Sequence, residues 1–258
     1  MYLGSFYTYL QFEKRYSHNT LEAYRNDLTQ FSDFITEEYE EKDPDLLHIH
    51  HRQIRAWIIR LMDDQTSAKS VNRKISSLKT YYRFLLRKGA IEKNPTLKII
   101  SPKVPKPLPV FVEKNSMNSL FELIESNYAS ASEAELFTRE RDRLIIEILY
   151  STGMRRAELL SLTDHSFDTG LKTVKVKGKG NKERIIPVSE HLLEMIRDYI
   201  RLRNKLFEPC GVLIVTEKGK KAYPGMIYLI VNKLLNQIST LTRKSPHVLR
   251  HTFATHLL

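Results

Sequence analysis

Ser245-Pro246-His247-Val248-Leu249-Arg250-His251-Thr252-Phe253-Ala254-Thr255-His256 reads as a helix with a cationic face. Pro246 suits the first turn, because the amide it lacks would be unpaired there, and Ser245 can cap that turn. Residues three and four apart are neighbours on a helix, so His247, Arg250 and His251 share one face. Leu249, Phe253 and Leu257 recur on another side as a packing stripe. Donors grouped in this way suit an anionic group such as a phosphate. The same residues could also simply decorate a helix end, and the rest of the chain decides between the two.

The 258 residues are 41% hydrophobic and 28% charged, the profile of a soluble globular chain near the length at which one core divides into two. Lys and Arg outnumber Asp and Glu by 41 to 30, a formal charge of +11, which points to a polyanionic partner, most often nucleic acid. Cys210 is the only cysteine, which excludes an internal disulfide and a cysteine-rich metal site and fits a reducing cytoplasm. No signal-peptide pattern is present and no apolar run is long enough to cross a bilayer, so a cytoplasmic protein without a membrane anchor is expected.

The first hundred residues carry helical periodicity. A short helix over about Leu3 to Glu13 precedes Ser17-His18-Asn19-Thr20, where Asn19 and Glu22 have the spacing of a capping box. Leu21, Tyr24, Leu28, Phe31 and Ile35 then mark one buried face, and a third helix over Arg52 to Met62 turns Ile54, Trp57, Ile58 and Leu61 inward. In a fourth, over Ser67 to Lys88, Val71, Ile75, Leu78, Tyr82 and Leu85 form the apolar stripe. Lys69, Arg73, Ser76, Thr80 and Arg83 fall opposite it. Positive and hydroxyl side chains interleaved on one face suit a helix laid against DNA phosphates, or the solvated face of an ordinary bundle. Prolines alternate with lysines from Ser101 to Pro109, which keeps the backbone extended and marks a linker over residues 101–109 between domains at 1–100 and 110–258.

Beyond the linker, Ser116 to Tyr128 and Arg139 to Tyr150 read as helices, the first with Met117, Leu120, Leu123 and Ile124 inward, joined by a loop over Ala129 to Glu135. The pattern breaks at Gly153, and Arg155 falls in the first turn of a new helix. A cation there opposes the helix dipole, so a local partner such as a phosphate is expected. Leu171 to Lys177 and Arg184 to Val188 alternate as strands, and Gly178-Lys179-Gly180-Asn181-Lys182-Glu183 between them is a hairpin turn with Lys179 at its tip. Helices follow at His191 to Leu206 and Pro224 to Ser239.

Three segments occur in order: Thr152-Gly153-Met154-Arg155-Arg156-Ala157-Glu158-Leu159, then Gly178-Lys179-Gly180-Asn181-Lys182-Glu183-Arg184, then His247-Val248-Leu249-Arg250-His251-Thr252-Phe253-Ala254-Thr255. Together with Ser17, Thr20, Tyr24, Asp27 and Leu28 near the start, they resemble the tyrosine recombinase (phage integrase) family, most closely its Xer-type members. The resemblance implies a mainly α fold with a small antiparallel β-sheet: a helical SAM-like core-binding domain and an α+β catalytic domain, forming a C-shaped clamp on double-stranded DNA. It implies that Arg155 and Arg250 bind the scissile phosphate and stabilise its pentacoordinate transition state, that Lys179 protonates the leaving 5′ oxygen, and that His247 assists proton transfer or holds the phosphate. Glu158 would orient the site, and Arg156, Lys182 and Arg184 would serve the DNA backbone or packing. The DNA-facing residues would include Lys69, Arg73, Ser76 and Thr80. The chemistry implied needs neither metal nor ATP, and the assembly implied is a tetramer on two DNA sites, of this chain or with a paralogous recombinase.

The family places its nucleophilic tyrosine after the HxxR segment, whereas here no tyrosine follows Tyr228. The expectation is therefore a chain incomplete at its C-terminal end that binds DNA without cutting it. Three rivals stand beside this: a non-catalytic DNA-binding antagonist on the same fold, a metal-dependent nuclease using His247, His251 and His256, and a type IB topoisomerase.

Overall fold

Apolar residues at steps of three and four dominate the chain, and helices are the result. The computed structural model describes residues 2–40, 45–105, 110–126, 132–178, 182–238, 241 and 244–257. The chain divides into two compact units, Met1–Pro107 and Leu108–Leu258.

In the first unit α1 (Tyr2–Thr8) runs on into a π-helical turn, Tyr9–Glu13. It is followed by α2 (His18–Tyr39), α3 (His51–Asp63) and α4 (Ala68–Arg87). The cap of α2 is Ser17 and not Asn19: Ser17 is extended at φ −66°, its hydroxyl meets that of Thr20 at 2.9 Å, and Asn19 already lies inside the helix. Leu28, Phe31 and Ile35 are buried as the periodicity requires, with Phe31 packed on Trp57 at 5.0 Å between ring centroids. The whole predicted stripe of α4 is buried. Tyr81, Phe84, Lys74 and Ser77 are buried as well, so α4 is enclosed over a wider arc than one stripe.

The second unit holds α5 (Lys114–Ser126), α6 (Glu133–Thr152), the single turn α7 (Arg156–Leu159), β1 (Phe167–Asp168), β2 (Thr173–Lys177), β3 (Glu183–Pro187), α8 (Glu190–Leu206), α9 (Pro224–Ile238) and α10 (Pro246–His256). The strands form one antiparallel sheet in the order β1-β2-β3, with Val174 opposite Ile186 and Val176 opposite Arg184. The apolar helix α6 is central, packing against α8 and α10 through a core that includes Leu144, Ile145, Ile148 and Leu149.

Three expectations change here. The loop expected to reach Glu135 ends at Ser132, because Ser132 and Glu135 form a reciprocal capping box: the Ser132 amide donates to Glu135 Oε2 at 2.8 Å and the Glu135 amide to Ser132 Oγ at 3.4 Å. Leu123, read as inward, is exposed. In α10 the buried side is Val248, Leu249 and Thr252 while Leu257 is exposed; each step of four residues advances about 40° beyond a full turn, and two steps carry Leu257 off the packed face.

Candidate phosphate-binding site

The C-terminus of α6 sets the site. Gly153 closes that helix in the left-handed region at φ +56°, a conformation glycine adopts without steric cost. Its bare Cα also lets the ring of Phe253 in α10 approach. The Gly153 carbonyl accepts a hydrogen bond from Arg250 Nη1, which fixes that guanidinium beside the start of α7. Two residues further along α10, Thr252 Oγ1 accepts the Val112 amide at 2.9 Å and donates to the Val248 carbonyl at 2.9 Å. A helix end, a bare backbone and a buried hydroxyl thus hold α10 in place.

Arg155 is the residue that caps α7 and does not lie in its first turn. Its local partner is Glu158: the Arg155 amide donates to Oε2 at 2.6 Å and Nη1 to Oε1 at 3.0 Å. This accounts for a cation at a helix start, since the carboxylate satisfies the free amide and balances the charge. From β3, Arg184 lays Nη1 and Nη2 along the same carboxylate, 2.9 Å from Oε1 and 2.9 Å from Oε2. The Glu158 side chain is only 2% exposed, whereas that of Arg155 is 47% exposed. Burial alone would raise the Glu158 pKa, but the Arg155 amide and guanidinium and the Arg184 fork outweigh it and hold the carboxyl below its ordinary value. Burial, then the neighbouring charges of Arg155 and Arg184, push the pKa of Arg250 down, with Glu158 opposing. The three arginines and Glu158 therefore form one electrostatic cluster.

The hairpin base lies against it. The Gly178 amide donates to the Lys182 carbonyl at 2.8 Å, and a Cβ on Gly178 would stand 3.3 Å from Glu158 Oε1. Lys179, the expected proton donor, lies outside the described residues. His247 is exposed in the first turn of α10, three residues before Arg250. Arg156 faces elsewhere and donates to the Pro224 carbonyl at 3.2 Å. His256 pairs with the Tyr150 hydroxyl at 3.0 Å, and among the described residues no three His, Cys, Asp or Glu side chains are grouped to hold a metal ion.

In the first unit, Lys69, Ser76 and Arg83 are exposed on α4 and Thr80 is half-buried. The Ser76 hydroxyl donates to the Asn72 carbonyl and that of Thr80 to the Ser76 carbonyl, both 2.8 Å, and Thr80 Oγ1 also accepts the Tyr24 hydroxyl at 3.4 Å. Arg73 differs from the expectation: though half-exposed, its guanidinium turns to Asp27, which is fully buried. Asp27 also accepts from Ser77 Oγ at 2.7 Å and Lys74 Nζ at 3.4 Å, and Lys74 donates to Gln30. A carboxylate out of water requires such partners, and this one draws Arg73 inward. Lys74 and Ser77 sit among Val71, Ile75 and Leu78; a lysine inside an apolar stripe was the available signal for a buried counterion.

A helical unit followed by an α+β unit with a three-stranded sheet and a cluster of arginines at the end of its central helix is the architecture of the tyrosine recombinases. The model of the phage integrase family matches residues 111–258, and that of the phage integrase N-terminal SAM-like domain matches residues 3–89. The chain belongs to the phage integrase family. Among its relatives, tyrosine recombinase XerC of Chlorobaculum tepidum is 34% identical over 277 residues, covering 100% of this chain and 82% of that protein. XerC of Oceanobacillus iheyensis is 34% identical over 263 residues, covering 100% and 83%. In fold, the chain is similar to the XerH site-specific recombinase bound to its difH substrate, with a TM-score of 0.70 at 22% identity over 92% of this chain and 68% of that one.

Proposed function

We propose that this chain serves site-specific recombination of double-stranded DNA by the tyrosine mechanism. The observation that carries the proposal is the pairing of Arg155 and Arg184 with one buried carboxylate, with Arg250 anchored on the nearby Gly153 carbonyl, which leaves the cluster with a surplus of fixed positive charge. Such preorganised charge suits a phosphodiester and, more strongly, its pentacoordinate transition state, where a further negative charge develops. A tyrosine hydroxyl gives its proton to a base or to solvent as its oxygen attacks phosphorus, the bond to the 5′ oxygen breaks, and that oxygen takes a proton in turn; the phosphotyrosyl bond conserves the energy for rejoining. Arg155 and Arg250 hold the phosphate, His247 assists, and Lys179 donates the proton. Lys69, Ser76 and Thr80, with what Arg73 can spare from Asp27, meet the DNA backbone along α4. Two sites are brought together by a tetramer of this chain, or of this chain with a paralogue.

Within these 258 residues no tyrosine follows Tyr228. A polypeptide of this sequence is accordingly proposed to bind duplex DNA without forming a covalent adduct. Incubation with nicked suicide duplexes, read by denaturing gel for adducts and by native gel for binding, tests both halves. Retarded duplex without adduct is expected. Adduct formation would overturn the second half, and absence of binding at low salt would overturn the first.

A further inference from the structure

Glu158 poses an electrostatic problem for a phosphate site. It places a full negative charge, almost out of water, 3.0 Å from Arg155 Nη1, and a carboxylate at that distance competes with an incoming phosphate for the same guanidinium. Arg184 sits on the other side of the carboxylate. Its two parallel bonds, each 2.9 Å, engage both oxygens in the fork geometry that is the strongest form of this pairing. Counted as fixed charges, Arg155, Arg184 and Glu158 sum to +1, and Arg250 brings the cluster to +2. Without Arg184 the sum falls to +1, and Glu158 is left with Arg155 alone.

We infer that Arg184 is a positioning residue: by neutralising Glu158 from β3 it leaves the charge of Arg155 for the phosphate, and it ties the strand after the Gly178–Lys182 turn to the phosphate site. This rests on the phosphate-site assignment made above. Arg184 touches neither phosphate nor reacting atoms in this account and acts through Glu158. A Cβ added at Gly178 would stand 3.3 Å from Glu158 Oε1, so the residue after β2 also comes near the carboxylate that Arg184 holds from β3. The depressed pKa of Glu158 agrees with a carboxylate that stays ionised and requires neutralising.

The test uses the full 258-residue chain, inorganic phosphate as the probe, and the side-chain Nε–Hε NMR signals of Arg155 and Arg250 as the readout, with Arg250→Ala to identify the site. Wild type is expected to show saturable shifts. Arg184→Gln is expected to weaken phosphate binding about tenfold and Arg184→Lys by no more than about threefold, because lysine keeps the charge. The decisive variant is Glu158→Gln combined with Arg184→Gln. It restores the charge sum to +2, so its affinity should return to within about threefold of wild type. A role in packing alone predicts the opposite, since the double variant loses every bond of the pair. If Arg184→Gln is folded by thermal melt and binds phosphate as wild type does, or if the double variant binds as weakly as the single, the inference is overturned. Should Arg184→Gln fail to fold, Glu158→Gln decides: tighter binding is expected from a sum of +3, and unchanged or weaker binding overturns the inference. No saturable binding by wild type would instead overturn the phosphate-site assignment, and this inference with it.

Discussion

The ring of Phe253 lies against Gly153 so closely that a Cβ at residue 153 would stand 2.2 Å from a ring carbon. The same glycine turns its carbonyl to Arg250, so one residue both seats α10 and orients a guanidinium of the site. Gly153→Ala therefore meets two penalties, a left-handed backbone of about 1 kcal/mol for alanine and overpacking of about 1–3 kcal/mol. A loss of roughly 2–4 kcal/mol in urea unfolding at unchanged m-value is expected, accompanied by weaker phosphate binding. A wild-type midpoint would mean that α10 is not held where the structure has it.

Asp27 and Lys74 make a second prediction. Both side chains are largely removed from water, at 0% and 10% exposure. Asp27→Ala leaves a buried ammonium with Gln30 as its partner and is expected to cost about 3–5 kcal/mol. Arg73→Ala removes a half-exposed partner of the same carboxylate and should cost about 1 kcal/mol. Denaturant unfolding of both variants would reverse this order if Arg73 and not Lys74 were the principal counterion.

Alkaline pH should loosen the fold through tyrosines. Burial raises the pKa of Tyr81 and Tyr82, and pushes that of Tyr199 up to about 12. In each case the folded state holds its proton more firmly than an unfolded tyrosine near 10. The stabilisation is thus fully present below pH 10 and lost as pH rises through the folded values. Unfolding midpoints at pH 9, 10 and 11 are expected to be level first and then to fall. Tyr199→Phe should flatten part of that fall, and an unaltered pH dependence would exclude Tyr199 as a contributor.

Glu158 imposes the complementary dependence at acid pH. Its folded pKa lies below the ordinary 4.5, so its contribution is present above 4.5 and disappears as pH falls through the lower folded value. Glu158→Gln should remove that component, measured as a shallower loss of stability between pH 5 and pH 3 than in wild type.

Much of the fold was legible because helical periodicity is a local property: the stripe of α4 through Val71, Ile75, Leu78, Tyr82 and Leu85 required only spacing. Helix starts were less so. Asn19 and Ser17 both carry capping chemistry, and only the backbone at Ser17 distinguishes them. At the candidate site, the motifs singled out Arg155 and Arg250, which the structure places at the start of α7 and against the Gly153 carbonyl, and Glu158 was expected to orient the site. That Arg184 is its second partner was not, since 26 residues and a strand pairing separate them and spacing carries no trace of that contact. Arg73 misled for a related reason: helix rotation places its Cα outward correctly, but its long side chain reaches back to a carboxylate on another helix.

Lys69 and Arg73 should accordingly differ in how they use DNA. Each phosphate neutralised by a cation contributes about −0.9 to the slope of log K against log salt. Lys69 is exposed at the start of α4, and Lys69→Ala should reduce the magnitude of that slope by about 1 with a uniform loss of affinity across duplex sequences. Arg73 already neutralises Asp27, so its pairing with a phosphate would have to be shared with that carboxylate. Arg73→Ala is expected to change the slope by clearly less than Lys69→Ala, while lowering stability more. Fluorescence anisotropy on a random duplex between 50 and 200 mM salt, a range over which the electrostatic part of binding changes steeply, measures both slopes. Equal slopes for the two variants would mean that Arg73 leaves Asp27 when DNA is bound, and the stability of the complex would then have to absorb the cost of an Asp27 held by Lys74 and Ser77 alone.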